Sequence, residues 1–280
     1  MHWLLSGRLS VEKVTIAIAD LPKSLHGTKL VQMSDFHYDG LRLSEDLLAE
    51  AIAASNREQP DLVLLTGDYV TSDPKPSYSL AMRLKQLQSR MGIYAVLGNH
   101  DICYRQSRPT VTSALTSVGI EVLWNQIAYP LGAELPLVGL ADYWSREFDC
   151  APVMSQLHPA IPRIVLSHNP DTAEILQQWR VDLQLSGHTH GGQIALPGFG
   201  PLVQLTQPSS MLRKLTPPCL WNRIPLVKSG CLEVVQHWER SQGYHQIGTN
   251  QLYVNRGLGT YRPGRLFCPP EVTVITLVGA

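Results

Sequence analysis

Five short apolar runs in the first 190 residues stop abruptly at Asp, Asn or His, and helical periodicity fills most of the intervals between them. Leu30–Ser34 delivers Asp35 and His37, Leu62–Leu65 leads through Gly67 to Asp68, and Ile93–Leu97 leads to Asn99, His100 and Asp101. Ile164–Ser167 delivers His168, and Val181–Ser186 ends in Gly187-His188-Thr189-His190-Gly191-Gly192. Apolar runs of this length, bounded by turn residues, predict buried strands. Ser44 is a suitable cap for a helix carrying Leu47, Leu48, Ala51 and Ile52. Leu80, Leu84, Leu87 and Met91, then Val111, Leu115 and Val118, then Ala173, Leu176 and Trp179 mark further helices. Val14, Ile16 and Ile18 alternate as in a half-buried strand, while Leu137–Asp142, Leu252–Asn255 and Val272–Leu277 read as additional strands. Strands alternating with helices predict a layered α/β domain with helices over the sheet faces. Such sheets hold their ligands past the C-terminal ends of the strands, where all these polar side chains fall.

Composition narrows the partners. The chain of 280 residues, 44% hydrophobic and 16% charged, has enough apolar material for a sizeable core. We expect one domain over 1–280 with a cap or loop insertion at 197–246. The 23 basic and 23 acidic residues cancel, so no whole-molecule field draws nucleic acid, and a small phosphorylated substrate is the better fit. Cys103, Cys150, Cys219, Cys231 and Cys268 are scattered without a Cys-x-x-Cys spacing and read as reduced thiols. Met1-His2-Trp3-Leu4-Leu5 is too short for a signal-peptide core, and no run approaches the ~20 residues of a membrane span. These features predict a cytoplasmic protein, with peripheral contact at the inner face of the membrane left open.

The segment 197–246 stands apart. It interleaves Pro197, Pro201, Pro208, Pro217, Pro218 and Pro225 with Met211, Leu212, Leu215, Leu220, Trp221, Leu226 and several Arg and Lys residues. One reading is a long loop with short helices packed on the body. The other is a basic, apolar cap that grips a lipid tail or touches a membrane surface.

The chemistry begins with His188 and His190. Residues i and i+2 of an extended chain point the same way, so two imidazoles at a strand end form half a shell for a first-row metal. Taken singly, each polar group here also reads as a turn or loop residue. Taken together, Asp35-x-His37, Gly67-Asp68, Gly98-Asn99-His100-Asp101, His168 and Gly187-His188-x-His190 resemble, in kind and order, the calcineurin-like metallophosphoesterase superfamily. Gly191-Gly192-Gln193-Ile194 and Tyr253-Val254-Asn255-Arg256-Gly257-Leu258-Gly259 resemble one branch of it. That branch comprises bacterial membrane-associated phosphodiesterases and the pyrophosphatase acting on UDP-2,3-diacylglucosamine.

The resemblance implies a central β-sandwich flanked by helices and a dinuclear metal site. Asp35, His37 and His190 would hold one divalent ion, Asn99, His168 and His188 the second, and Asp68 would bridge them. Imidazole, carboxylate and amide ligands without thiolate suit manganese, iron or zinc, with manganese favoured. The implied reaction is hydrolysis of a phosphodiester or pyrophosphate bond by hydroxide held between the two ions, on a phosphorylated lipid or nucleotide-linked lipid precursor. A phosphomonoesterase, protein phosphatase or nuclease of the same superfamily is the alternative within the class. A non-catalytic scaffold on this fold is the alternative outside it, and it predicts missing ligands. His100 corresponds to a histidine that stabilises the transition state or protonates the leaving oxygen, and Asp101 is the natural carboxylate to orient it. Asn255 and Arg256 follow a strand and are candidates for substrate binding at the rim, with a plain salt bridge the competing role for Arg256.

Overall fold

The computed structural model describes residues 6–198, 200–206 and 234–280. Strands are numbered in chain order. One sheet contains β1 (Ser10–Ile18), β2 (Lys29–Met33), β3 (Leu62–Leu65), β4 (Ile93–Ala95), β5 (Glu121–Val122) and β14 (Glu271–Gly279). Their spatial order is β1-β14-β2-β3-β4-β5. The other sheet contains β6 (Gln126–Ala128), β7 (Leu137–Gly139), β8 (Ile164–Leu166), β9 (Leu183–Ser186), β12 (Gly243–Ile247) and β13 (Asn250–Val254), in the order β12-β13-β9-β8-β7-β6. A two-stranded ribbon of β10 (Ala195–Leu196) and β11 (Gly200–Pro201) follows β9. The strands that carry polar ends run parallel within each sheet: β2 with β3 and β3 with β4 in one, β8 with β9 in the other. Their C-terminal ends therefore share one edge of each sheet.

Alternation of side chains assigns each strand residue to a layer. Leu30, Leu62, Leu64 and Ile275 of the first sheet meet Ile164, Leu166, Leu183 and Leu185 of the second in a core between the sheets. Val31, Met33, Val63 and Leu65 face the other way, onto Leu47, Leu48, Leu80, Leu84, Val111 and Leu115. These come from the helices Glu45–Arg57, Pro76–Leu84 and Ser107–Thr116. Val138 and Val165 on the outer face of the second sheet pack on Met154 and Leu176 of two short helices. The result is a β-sandwich with helices on both outer faces, the layered α/β architecture expected of the chain. Near the strand ends, the buried Gln32 of β2 ties the sheets together: its Nε2 donates to Thr66 Oγ1 at 3.0 Å and to Ser186 O at 2.9 Å.

Two expectations change. The helix read through Leu87 and Met91 ends at Leu84, because Gln86 N and Leu87 N bond three residues back and tighten the last turn. Leu87 stays buried while Met91 is exposed. Within 197–246, the stretch read as loop and short helices contains an edge strand, β12, antiparallel to β13. Its half-exposed sequence, Gly243–Ile247, lacks the apolar run that marks the inner strands. Leu220, Trp221 and the rest of 207–233 lie outside the described residues.

Core packing predicts where the fold is sensitive. Leu64 is fully buried between the sheets, so Leu64→Ala should lower stability in chemical denaturation by about 2–5 kcal/mol. Met82 on the outer surface is 56% exposed, and Met82→Ala should change stability by no more than about 0.5 kcal/mol.

Candidate metal centre

The strand ends carry the polar groups on unusual backbone. Asp35 (φ 52°), His37 (φ 43°), Asp68 (φ 56°), His188 (φ 72°) and His190 (φ 51°) all adopt the left-handed region. Asp and His tolerate it better than branched residues, yet each such residue costs of order 1–3 kcal/mol and persists only where its surroundings hold it. Here neighbouring loops do so. Asp35 N donates to Gly67 O at 2.9 Å, His37 N to Asp68 O at 3.0 Å, and Gly259 N to Asp35 O at 2.7 Å. Gly98 is required for a different reason. A Cβ at this position would collide with the Asp68 carboxylate and lie 2.7 Å from His168 Nε2, so the carboxylate packs directly on the glycine backbone.

Backbone carbonyls fix the imidazoles. His168 Nδ1–H donates to Thr66 O at 2.6 Å, His190 Nδ1–H to Gly259 O at 3.2 Å, and His188 Nε2–H to Val234 O at 3.1 Å. A carbonyl only accepts, so the second nitrogen of each neutral ring is left as a lone pair. Those second nitrogens converge: His188 Nδ1 lies 3.2 Å from His168 Nε2, and His190 Nε2 lies 3.0 Å from His37 Nε2. Asp68 Oδ2 sits between the two pairs, 3.2 Å from His168 Nε2 and 3.5 Å from His37 Nε2. Asp35 Oδ1 is 3.5 Å from His190 Nε2. Asn99 Oδ1, on the residue preceding His100, is buried and has no hydrogen-bond partner among the described residues. Ligand atoms of Asp35, His37 and His190, of His37, Asp68 and His100, and of Asp68, His168 and His188 form three groups, each within 4.8 Å. Inward lone pairs, carboxylates and an orphaned amide oxygen form a donor set that divalent cations complete.

Electrostatics agree. Burial pushes the His37 ring down to about 3 and the His188 ring down to about 4, and holds His190 well below the usual imidazole range. His168 goes the other way. Burial opposes its charge, but the Asp68, Asp35 and Asp142 carboxylates prevail and raise it to about 10. Burial also opposes ionisation of Asp68, yet His168, His100 and His37 hold it well below the usual carboxylate range. Burial lifts Asp35 to about 6. A cation held at His168 Nε2 would take the place of the ring's second proton, so the three carboxylates mark the same demand for positive charge at this point.

The remaining candidates separate. His100 lies edge-on to His37, with ring centroids 4.8 Å apart, and its backbone N donates to Asp68 Oδ1 at 2.9 Å. Its Nδ1 faces Thr71 O at 2.5 Å, so Thr71 and not Asp101 orients the ring. The Asp101 carboxylate accepts instead from backbone N–H of Asp68 and Gly98 at 2.8 and 2.9 Å, and of Tyr69 and Val70 at 2.8 and 3.2 Å. Burial and Asp68 lift its carboxyl to about 7, while those donors pull the other way. Asn255 is fully buried and committed to Thr273 Oγ1 and Gly257 N. Arg256 is ion-paired to Glu12 and Glu271. Both rim candidates thus have polar atoms engaged within the protein: Asn255 by Thr273 and Gly257, Arg256 by Glu12 and Glu271.

Two residues escaped the sequence reading. Tyr261 places its hydroxyl 3.0 Å from His37 Nδ1 and its ring against His37 and His190. Arg265 donates to the carbonyls of Arg256, Gly257 and Gly259, the last of which orients His190. The available signal was Gly257-Leu258-Gly259, a glycine-rich turn following a strand just as the other site loops do.

A protein-family model described as calcineurin-like phosphoesterase matches residues 28–192, the stretch that contains all five polar strand ends. The uncharacterized metallophosphoesterase YkuE of Bacillus subtilis is 32% identical over 269 residues, covering 94% of this chain and 83% of that protein. Phosphodiesterase YaeI of Escherichia coli is 32% identical over 255 residues, covering 89% and 82%. UDP-2,3-diacylglucosamine pyrophosphatase LpxG of Chlamydia muridarum is 26% identical over 330 residues, covering 98% and 92%.

The close approach at Gly98 is testable. Gly98→Ala should displace the Asp68 carboxylate and weaken metal affinity by roughly 10–100-fold, measured by competition with a chelating dye. Unchanged affinity would contradict the contact.

Proposed function

The chain belongs to the calcineurin-like phosphoesterase family and is a metallophosphoesterase hydrolase, and from that premise we propose that it cleaves a phosphodiester or pyrophosphate bond with two divalent ions. In this reading Asp35, His37 and His190 hold one ion, Asn99, His168 and His188 hold the other, and Asp68 bridges them. The observation that carries it is the position of Asp68 Oδ2, within 3.5 Å of His37 Nε2 and 3.2 Å of His168 Nε2, between two sets of inward lone pairs. The absence of thiolate from the donor set suits manganese, iron or zinc, with manganese favoured. When bound, such ions polarise a phosphoryl oxygen and lower the pKa of coordinated water toward ~7.

The chain's own groups supply the rest. Thr71 O occupies the Nδ1–H of His100, so Nε2 is the nitrogen that holds or delivers a proton at the leaving oxygen. Asp101 acts through the backbone as a positioning residue, gathering the Asp68–Val70 turn and Gly98 around its carboxylate.

Our substrate class is a phosphorylated lipid or nucleotide-linked lipid precursor. It is supported by the similarity to proteins named as a phosphodiesterase and a UDP-2,3-diacylglucosamine pyrophosphatase. We take 1–280 as one domain whose insertion at 197–246 contacts the lipid portion. The bond from His188 to Val234 O supports a site for that segment beside the centre. No helix among the described residues is long and apolar enough to cross a membrane. Independently of that, we propose a cytoplasmic enzyme with peripheral contact at the inner membrane face.

Two variants test the assignment in a manganese-supplemented panel of diesters, monoesters and UDP-lipids. Asp68→Ala should strip metal from both positions and nearly abolish turnover; retained activity would refute the bridge. His100→Asn should lower kcat by ~10²–10⁴ while metal content stays near wild type, and parallel loss of metal would reassign the residue to structure.

A further inference from the structure

The loop after β2 carries a guanidinium that neither the fold nor the metal centre uses up. Arg42 stacks on Tyr261, with Cζ 4.5 Å from the ring centroid, and pairs through Nη1 with Asp39 Oδ2. Asp39 is saturated by that contact together with Leu41 N, Arg42 N and the Thr71 hydroxyl. The guanidinium is not. It has five N–H donors in a fixed fork, and among the described residues the Asp39 contact is its one hydrogen bond. The Asp39 contact and the Tyr261 ring hold the group in a set orientation, and its side chain keeps 30% of its surface exposed.

Position gives those donors a purpose. On one side Arg42 reaches the centre through Tyr261, whose hydroxyl is 3.0 Å from His37 Nδ1. On the other it reaches His100 through Asp39 and Thr71, whose carbonyl faces His100 Nδ1 at 2.5 Å. Arg42 therefore flanks the His37–His100 side of the centre, where His100 is assigned to the leaving oxygen. An oriented arginine with spare donors beside a phosphoester site fits a second phosphate bidentately.

We propose that Arg42 is an anion subsite for a phosphate carried on the leaving group, and that the substrate accordingly contains two linked phosphates. This rests on the hydrolase reading above and narrows it from diester or pyrophosphate to a diphosphate diester. Tyr261 and Asp39 are the positioning residues: one shields a face of the guanidinium, the other sets its rotation.

The test compares one phosphate with two. Kinetics on bis(p-nitrophenyl) phosphate and calorimetric binding of UDP-glucose are measured on manganese-loaded wild type, Arg42→Ala and Arg42→Lys. The loss on UDP-glucose in Arg42→Ala should exceed the loss on the single-phosphate diester by about 10-fold or more, with Arg42→Lys recovering part of it. Equal losses on both would overturn the subsite and make Arg42 a prop for Tyr261. No loss on either, or no binding of UDP-glucose by wild type, would overturn it as well. A wild-type protein that binds UDP-glucose in an Arg42-dependent way but hydrolyses no phosphoester would refute the hydrolase reading while leaving the subsite supported.

Discussion

The Asp68 carboxylate is the charge around which the centre is organised. It is buried, so isolation would force it to neutralise. His168, His37 and the backbone N–H of His100 surround it and keep it ionised. The same contacts draw rings from both sheets to one point, since His37 and His100 follow strands of the first sheet and His168 follows a strand of the second. His188 shares with Asp68 and His168 a group of ligand atoms within 4.8 Å of one another, and the glycine at 98 leaves room for the carboxylate to pack there.

Holding that arrangement requires backbone that a relaxed loop would avoid. Asp35, His37, Asp68, His188 and His190 are all left-handed, and the sandwich beneath them supplies the constraint. Gln32 joins the sheets just below the centre, Leu258 N donates to Ser34 O, and Arg265 gathers three carbonyls of the Arg256–Gly259 loop. The rigid layers thus stabilise a strained rim, the usual division of labour between a scaffold and its functional loops.

Much of this is legible in the chain because buried strands and polar termini are local patterns. Leu62–Leu65 announces itself as apolar, Ser44 caps its helix through Leu47 N, and the ordered Asp, Asn and His residues mark the shared edge. What is not legible depends on contacts distant in sequence. Asp101 sits next to His100 in the chain, yet its carboxylate turns to backbone N–H groups beginning at residue 68. Arg256 resembles a phosphate ligand until Glu12, from the far end of the chain, is seen to pair with it. β12 hides because an edge strand needs no continuous apolar run, and Tyr261 hides because no local pattern predicts a contact with His37.

We propose that two ions share the Asp68 carboxylate. Electron paramagnetic resonance of the manganese-loaded protein tests it most directly, because two Mn(II) ions joined by a bridging ligand are magnetically coupled. A coupled dinuclear spectrum at about two equivalents of metal per chain is expected. A spectrum of isolated manganese that saturates at one equivalent, in a protein fully active toward phosphoesters, would contradict it.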